Sequence, residues 1–184
     1  ELHSLLRRQR QMCIRDRNDT FTLSDKNEPF IIAEAGINHD GEFKKAMELV
    51  DLAINSGASA IKFQTHITDK EMIPTDMKPG NISEESLWDI IDRCVLDNAQ
   101  ERDLFDYAKE KGILFFSTPF SREGADRLNE LGVELYKIGS GECNNLPLLN
   151  HVANFKKPMI LSTGMNDISS IKASVETILS HGVP

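Results

Sequence analysis

The sequence predicts an α/β fold in which a parallel sheet is laid down one βα unit at a time. Two observations carry this. From Pro29 onward, short β-rich apolar runs alternate with longer stretches of helical period, the mark of repeated βα units. Gly57, Gly112, Gly132 and Gly182 each follow a helical stretch and shortly precede an apolar run or the end of the chain, where a helix calls for a left-handed cap residue.

The first strand is predicted over 30–35 (FIIAEA), followed by a helix near 43–56. The second strand covers 59–65 (SAIKFQT), with helices near 84–93 and 98–111 behind it. In the latter helix Leu104, Tyr107, Ala108 and Lys111 fall in register with charges elsewhere, which leaves one face to pack on a sheet. A third strand over 113–117 (ILFFS) leads to a helix over 121–131. The fourth and fifth strands follow at 134–138 (ELYKI) and 158–162 (PMILS), and a last helix spans 167–181. The βα handedness rule predicts five consecutive right-handed units. Gly182 predicts a sixth strand beyond Pro184, so the barrel is expected to be unfinished. The connection at 66–83 (HITDKEMIPTDMKPGNIS) far exceeds the usual ~2–6 residues. A substrate-covering loop and an exposed insertion without a role explain its length equally well.

At 184 residues and 40% hydrophobic composition, the chain suits one packed domain or part of one. Charged or amide residues interrupt every apolar run before the roughly 20 positions that a spanning helix needs, so a soluble protein is expected. The net charge of −8 divides into +3 on residues 1–17, with five arginines, and −11 on the remainder. An acidic body repels phosphate backbones, which argues against nucleic acid as a partner and leaves anionic substrates to a few well-placed cations. Cys13, Cys94 and Cys143 form no close pair and no zinc spacing, which fits a reducing cytoplasm. The opening ELHSLLRRQRQMCIRDR lacks the apolar core and cleavage site of an export signal. It reads either as a basic interaction arm or, preferably, as a translated adapter scar, and residues 1–28 are set apart as a disordered or non-native extension.

In a parallel barrel, active sites form at the carboxyl ends of the strands. Here each of the five runs ends in polar or small residues: Glu34 with Asn38 and His39, Lys62 to His66, Ser117 and Thr118, Lys137 to Glu142, and Ser162 to Gly164. Lys62 and Lys137 alternate with apolar neighbours, so each points opposite to the residues flanking it. A lysine turned into a barrel must find an anion: either a structural partner in Glu34 or Glu142, or a phosphate or carboxylate ligand. Gly139-Ser140-Gly141 lets backbone amides approach an anion, though alone it reads more readily as a tight turn. Glu34 and Glu142 are suited to proton transfer or to ordering a water. His39 and His66 are read as hydrogen-bonding elements rather than metal ligands. Trp88, Cys94 and Cys143 are read as packing residues, Cys143 carrying a reactive role as its alternative.

The runs IIAEAGINHDG, IKFQTH, FFSTPFS, YKIGSGECNN and LSTGMN, in this order, resemble the N-acetylneuraminate (sialic acid) synthase family of bacteria over residues 29–184. The resemblance implies a (β/α)8 TIM barrel, here truncated after about five βα units, without its later strands and its antifreeze-like domain. It implies condensation of phosphoenolpyruvate with N-acetylmannosamine to give sialic acid and phosphate, assisted by a divalent metal, manganese or magnesium, in a homodimer. By the same resemblance Lys62 and Thr118 match positions at the phosphoenolpyruvate carboxylate, and Lys137, Ser140 and Ser162 match its phosphate set. Glu34 and Gln64 match residues around the metal-bound water and sugar, Asn81 a sugar contact, and Glu142 the acid/base at the aldehyde. The family's two metal-binding histidines and the arginine of its capping domain lie beyond this sequence, so no metal ligand is assigned. QTH and GECNN lean towards the N-acetylneuraminate branch. A synthase of legionaminic, pseudaminic or spore-coat sugars, and an inactive anion-binding fragment, stay open beside it.

Overall fold

The computed structural model describes residues 28–80 and 83–183. The expectation for residues 1–28 therefore lies, but for Glu28, outside the described residues, as does Asn81. Among the described residues, five strands form one sheet with neighbours in chain order: β1 Ile32–Gly36, β2 Ala60–Thr65, β3 Leu114–Pro119, β4 Tyr136–Ile138 and β5 Met159–Leu161. Every pairing is parallel, that of β3 with β4 included, and such sequential parallel order is the wall of a βα barrel.

The helices are α1 Phe43–Asn55, α2 Thr68–Glu71, α3 Leu87–Arg93, α4 Asn98–Glu110, α5 Arg122–Leu131, α6 Leu146–Ala153 and α7 Ile168–Ser180. Their starts are written in local chemistry. Asp97 and Gln100 form a reciprocal capping box on α4, while Ser121 and Asp167 cap α5 and α7, each satisfying amides that the helix leaves open. The four predicted cap glycines all take left-handed backbone, with φ from +70° at Gly182 to +90° at Gly132.

Sequence patterning passed over three elements. Helix α6 is short, and Pro147 in its first turn reads as a break. Proline is in fact well placed there, since that amide has no helical partner, and Leu148, Leu149, Val152 and Ala153 bury the helix. The other two are single turns: α2 inside the long connection, and a 3-10 turn over Ser140–Glu142.

The two faces of the sheet differ. Ile61, Phe63, Phe115, Tyr136 and Ile138 point outward into the main core with Val50, Leu104, Ala108, Leu128 and Leu149 of the helices. Of the other residues expected in register on α4, Tyr107 is only half-buried and donates to Asp51 Oδ1 at 2.8 Å, and Lys111 is exposed. The inner face carries Ala60, Phe116 and Leu135, packed with Phe30, Ile32, Leu114 and Ile160. Strand alternation then puts Glu34, Lys62, Gln64, Thr118, Lys137 and Ser162 two or four residues further along that same inner face. An apolar floor thus lies beneath a polar layer.

Behind β2 and β3 sits a buried polar cluster that patterning did not single out. Thr65 donates to the Glu101 carboxylate of α4 and shares a 2.8 Å hydrogen bond with Ser117. Arg127 of α5 reaches Glu101 Oε2 at 3.5 Å and donates to the Leu96 carbonyl at 3.3 Å. Burial pushes the Glu101 carboxyl above its usual range, and Thr65 and Arg127 oppose the shift. The cluster ties two helices to two strands.

The Ile37–Glu42 loop after β1 is a run of turns, with Asn38, Asp40 and Glu42 amides each donating three residues back. His39 is buried and its Nδ1 accepts from the Gly41 amide at 3.1 Å, the hydrogen-bonding role expected for it. Burial lowers its pKa. Gly41 has φ +78°, and a Cβ there would lie 1.9 Å from the Arg93 carbonyl oxygen, whereas a Cβ on Gly57, at φ +76°, meets nothing within 4 Å. Gly57→Ala should therefore lose only the left-handed backbone term, about 1–2 kcal/mol, and Gly41→Ala should lose clearly more. Urea unfolding of the two variants measures this, and equal losses would show that the loop yields to the side chain.

Candidate active site

Lys62 is 5% exposed, on the inner face of β2. An ammonium held there has lost most of its hydration and requires a counter-charge. Glu34 of β1 provides it: the strand register sets Glu34 beside Lys62, and Nζ lies 2.6 Å from Glu34 Oε2. The other oxygen of the same carboxylate is 3.9 Å from Lys137 Nζ. Both lysines therefore point to one face and gather on one carboxylate. Burial pushes Lys137 below its ordinary value of 10.5, Glu34 opposes this, and the Lys62 charge adds to it. Two cations against one anion leave a net positive charge at the carboxyl ends of β2 and β4, which is what an anionic ligand needs.

Glu142 does not take the role of lysine partner that the sequence left open. Its Oε2 accepts from Asn145 Nδ2 at 2.6 Å, within the turn that starts α6, so the carboxylate is held locally. Thr118, Ser162 and Ser140 lie at or just beyond the carboxyl ends of β3, β5 and β4. Thr118 is buried and stands opposite Gln64 in the β2–β3 register, with its methyl 3.8 Å from where a Gly139 Cβ would be. Ser162 extends the β4–β5 ladder, its amide donating to the Ile138 carbonyl at 3.0 Å. Ser140 lies under the loop after β5: Asn166 Nδ2 donates to its carbonyl at 2.8 Å, and a Cβ at Gly164 would come 3.8 Å from its hydroxyl. The loops after β4 and β5 are thereby joined, and strand alternation puts Lys62, Thr118, Lys137 and Ser162 on the one inner face.

His66 is buried with both ring nitrogens engaged, Nδ1 with Glu71 at 2.7 Å and Nε2 with Gln64 at 3.2 Å. Glu71 and Asn166 are the site residues that sequence reasoning missed. Glu71 sits in a loop whose short helix leaves no periodic signal, and Asn166 acts through a backbone carbonyl 26 positions away. Among the described residues, no group of three or more His, Cys, Asp or Glu side chains gathers to hold a metal ion. Glu34 is committed to the lysines and both imidazoles to local bonds, so these residues do not fit the divalent metal implied by the resemblance. Among the described residues, no helix is long and apolar enough to cross a membrane.

A family model described as the NeuB family matches residues 49–183. The chain is 39% identical over 158 residues to the N,N'-diacetyllegionaminic acid synthase of Campylobacter jejuni, covering 83% of this chain and 47% of that one. With the N,N'-diacetyllegionaminic acid synthase of Legionella pneumophila it shares 40% over 154 residues, covering 81% of this chain and 43% of the other. The solved N-acetylneuraminic acid synthetase of Leptospira borgpetersenii superposes with a TM-score of 0.75 at 31% identity, over 89% of this chain and 56% of that one. The chain thus spans about half the length of the curated relatives it matches.

Two outcomes follow from the shared carboxylate. Glu34→Gln leaves both lysines without their counter-charge and should lower stability by about 1–3 kcal/mol, the exposed half of the pair moderating the loss. Inorganic phosphate should then raise Tm more in the variant than in the parent, and an equal rise would contradict the anion site. The second outcome concerns pH. Since the folded-state pKa of Lys137 is depressed, the unfolded chain binds more protons just below 10.5, and stability rises with pH across that interval. The urea midpoint of the parent should climb relative to that of Lys137→Met as pH approaches 10.5, and parallel curves would contradict this.

Proposed function

The chain belongs to the NeuB family, and on that premise we propose that it forms the phosphoenolpyruvate-binding half of a nonulosonic acid synthase. The observation that carries the reading is the pair of inward lysines sharing one carboxylate. Phosphoenolpyruvate has two anionic ends, and the rim has cations and hydroxyls suited to each. In this reading Lys62 and Thr118 bind its carboxylate, while Lys137, Ser140 and Ser162 bind its phosphate. Glu34 keeps the two ammonium groups apart and in place until the ligand arrives.

The reaction joins the methylene carbon of phosphoenolpyruvate to the aldehyde carbon of an open-chain amino sugar. Water adds to the cationic centre this leaves at the neighbouring carbon. The carbon–oxygen bond to phosphate then breaks as the added hydroxyl becomes the ketone, its proton leaving with the departing inorganic phosphate. As the new carbon–carbon bond forms, the aldehyde oxygen gains negative charge and needs a proton. Glu142, held by Asn145 at the rim, is assigned as that acid. Gln64 and Asn81 are assigned to the sugar.

The sugar itself is read from the relatives. The two synthases at 39% and 40% identity act in the legionaminic branch by name, while the sialic acid synthetase stands at 31%. A diacetamido hexose is therefore favoured over the N-acetylmannosamine towards which QTH and GECNN lean. Assays of the complete gene product with phosphoenolpyruvate and each sugar decide this. Faster turnover of the diacetamido sugar is expected, faster turnover of N-acetylmannosamine restores the sialic branch, and phosphoenolpyruvate binding without turnover of any sugar supports the anion-binding alternative.

Glu142→Gln tests the acid. An amide keeps the shape but cannot deliver the proton, so kcat should fall by about 10²–10⁴ while KM for phosphoenolpyruvate stays within about threefold. Near-normal turnover would remove Glu142 from the chemistry.

A further inference from the structure

The synthase reading leaves a buried pair unused. His66 follows β2, 5% exposed, with its ring stacked at 4.4 Å on Phe120 from the loop after β3. Its Nδ1 meets Glu71 Oε1 at 2.7 Å, and that side chain is also 5% exposed. Among the described residues, the second Glu71 oxygen is buried with no hydrogen-bond partner, so the imidazole is the whole of this carboxylate's support. Desolvated acceptors held by one donor are strongly constrained in place. The far nitrogen of the ring, Nε2, lies 3.2 Å from Gln64 Oε1, and Gln64 shares the inner face with Lys62.

We propose that Glu71 and His66 are positioning residues for Gln64. Glu71 Oε1 holds Nδ1 and fixes the ring, and Nε2 is set 3.2 Å from the carboxamide oxygen. The carboxamide is thereby held beside the Gly36 turn at the end of β1, 3.9 Å from where a Gly36 Cβ would be. Gln64 then meets the substrate as a preset hydrogen-bonding group rather than a freely rotating amide. Because Glu71 belongs to α2, the same contact fastens the long connection after β2 to the floor of the site. The group recognised is a polar group of the amino sugar, a hydroxyl or an acetamido group. This assignment rests on the synthase reading for the identity of that ligand.

The test is a double-mutant cycle in the complete gene product, with KM measured separately for phosphoenolpyruvate and for the amino sugar. Glu71→Gln should raise KM for the sugar about tenfold, the worth of one oriented hydrogen bond, and leave that for phosphoenolpyruvate unchanged. In a Gln64→Ala background the same change should add nothing, since the residue it acts through has gone. If Glu71→Gln fails to fold, His66→Gln in the same cycle reads the same coupling. Equal losses for both substrates, or an undiminished loss in the Gln64→Ala background, overturn the relay while leaving the synthase reading standing. A parent enzyme that turns over no amino sugar removes both.

Discussion

Two ammonium groups share a single carboxylate on the inner face of the sheet, and the rest of the site depends on that imbalance. Lys62 is buried deeply enough that its charge needs a partner, and Glu34 is its partner in the neighbouring strand. Lys137 reaches the same carboxylate from β4, with burial and the Lys62 charge both acting against its own. The inner face could not hold this arrangement without the apolar floor of Ala60, Phe116 and Leu135 beneath it. That floor lies towards the amino ends of the strands, with the charges above it at their carboxyl ends.

The elements behind the sheet keep those ends in place. Glu101 and Arg127 clamp α4 and α5 to Thr65 and Ser117, so the strands bearing Lys62 and Thr118 cannot shift independently. Gly41 lets the loop after β1 press against the last carbonyls of α3, which fixes the strand that carries Glu34. Asn166 joins the loop after β5 to Ser140. Each contact restrains an element that carries an inner-face residue, as preorganised sites require.

Much of this was legible in the sequence because it follows from short-range rules. The alternation of Lys62 with Ile61 and Phe63, and of Lys137 with Tyr136 and Ile138, put both lysines on the face away from the core, and the cap glycines marked where helices end. Helix α6 was not legible: Pro147 resembles a break unless the buried Leu148–Val152 stripe is weighed against it. The choice of Glu34 over Glu142 as lysine partner was also beyond reach, since it depends on the β1–β2 register and on Asn145 capturing Glu142. Nothing in the sequence pattern singles out Glu71 or Glu101. Only the packed structure shows that burial and long-range partners have made them structural.

Titration calorimetry of phosphoenolpyruvate with Lys62→Met, Lys137→Met and the double variant tests most directly whether Lys62 and Lys137 together bind one ligand with two anionic ends. The account predicts that each single change weakens binding by about tenfold or more and that the two effects are not additive, because both cations hold the same molecule and share the same carboxylate. Unaltered affinity in either single variant, or strictly independent losses, would contradict it.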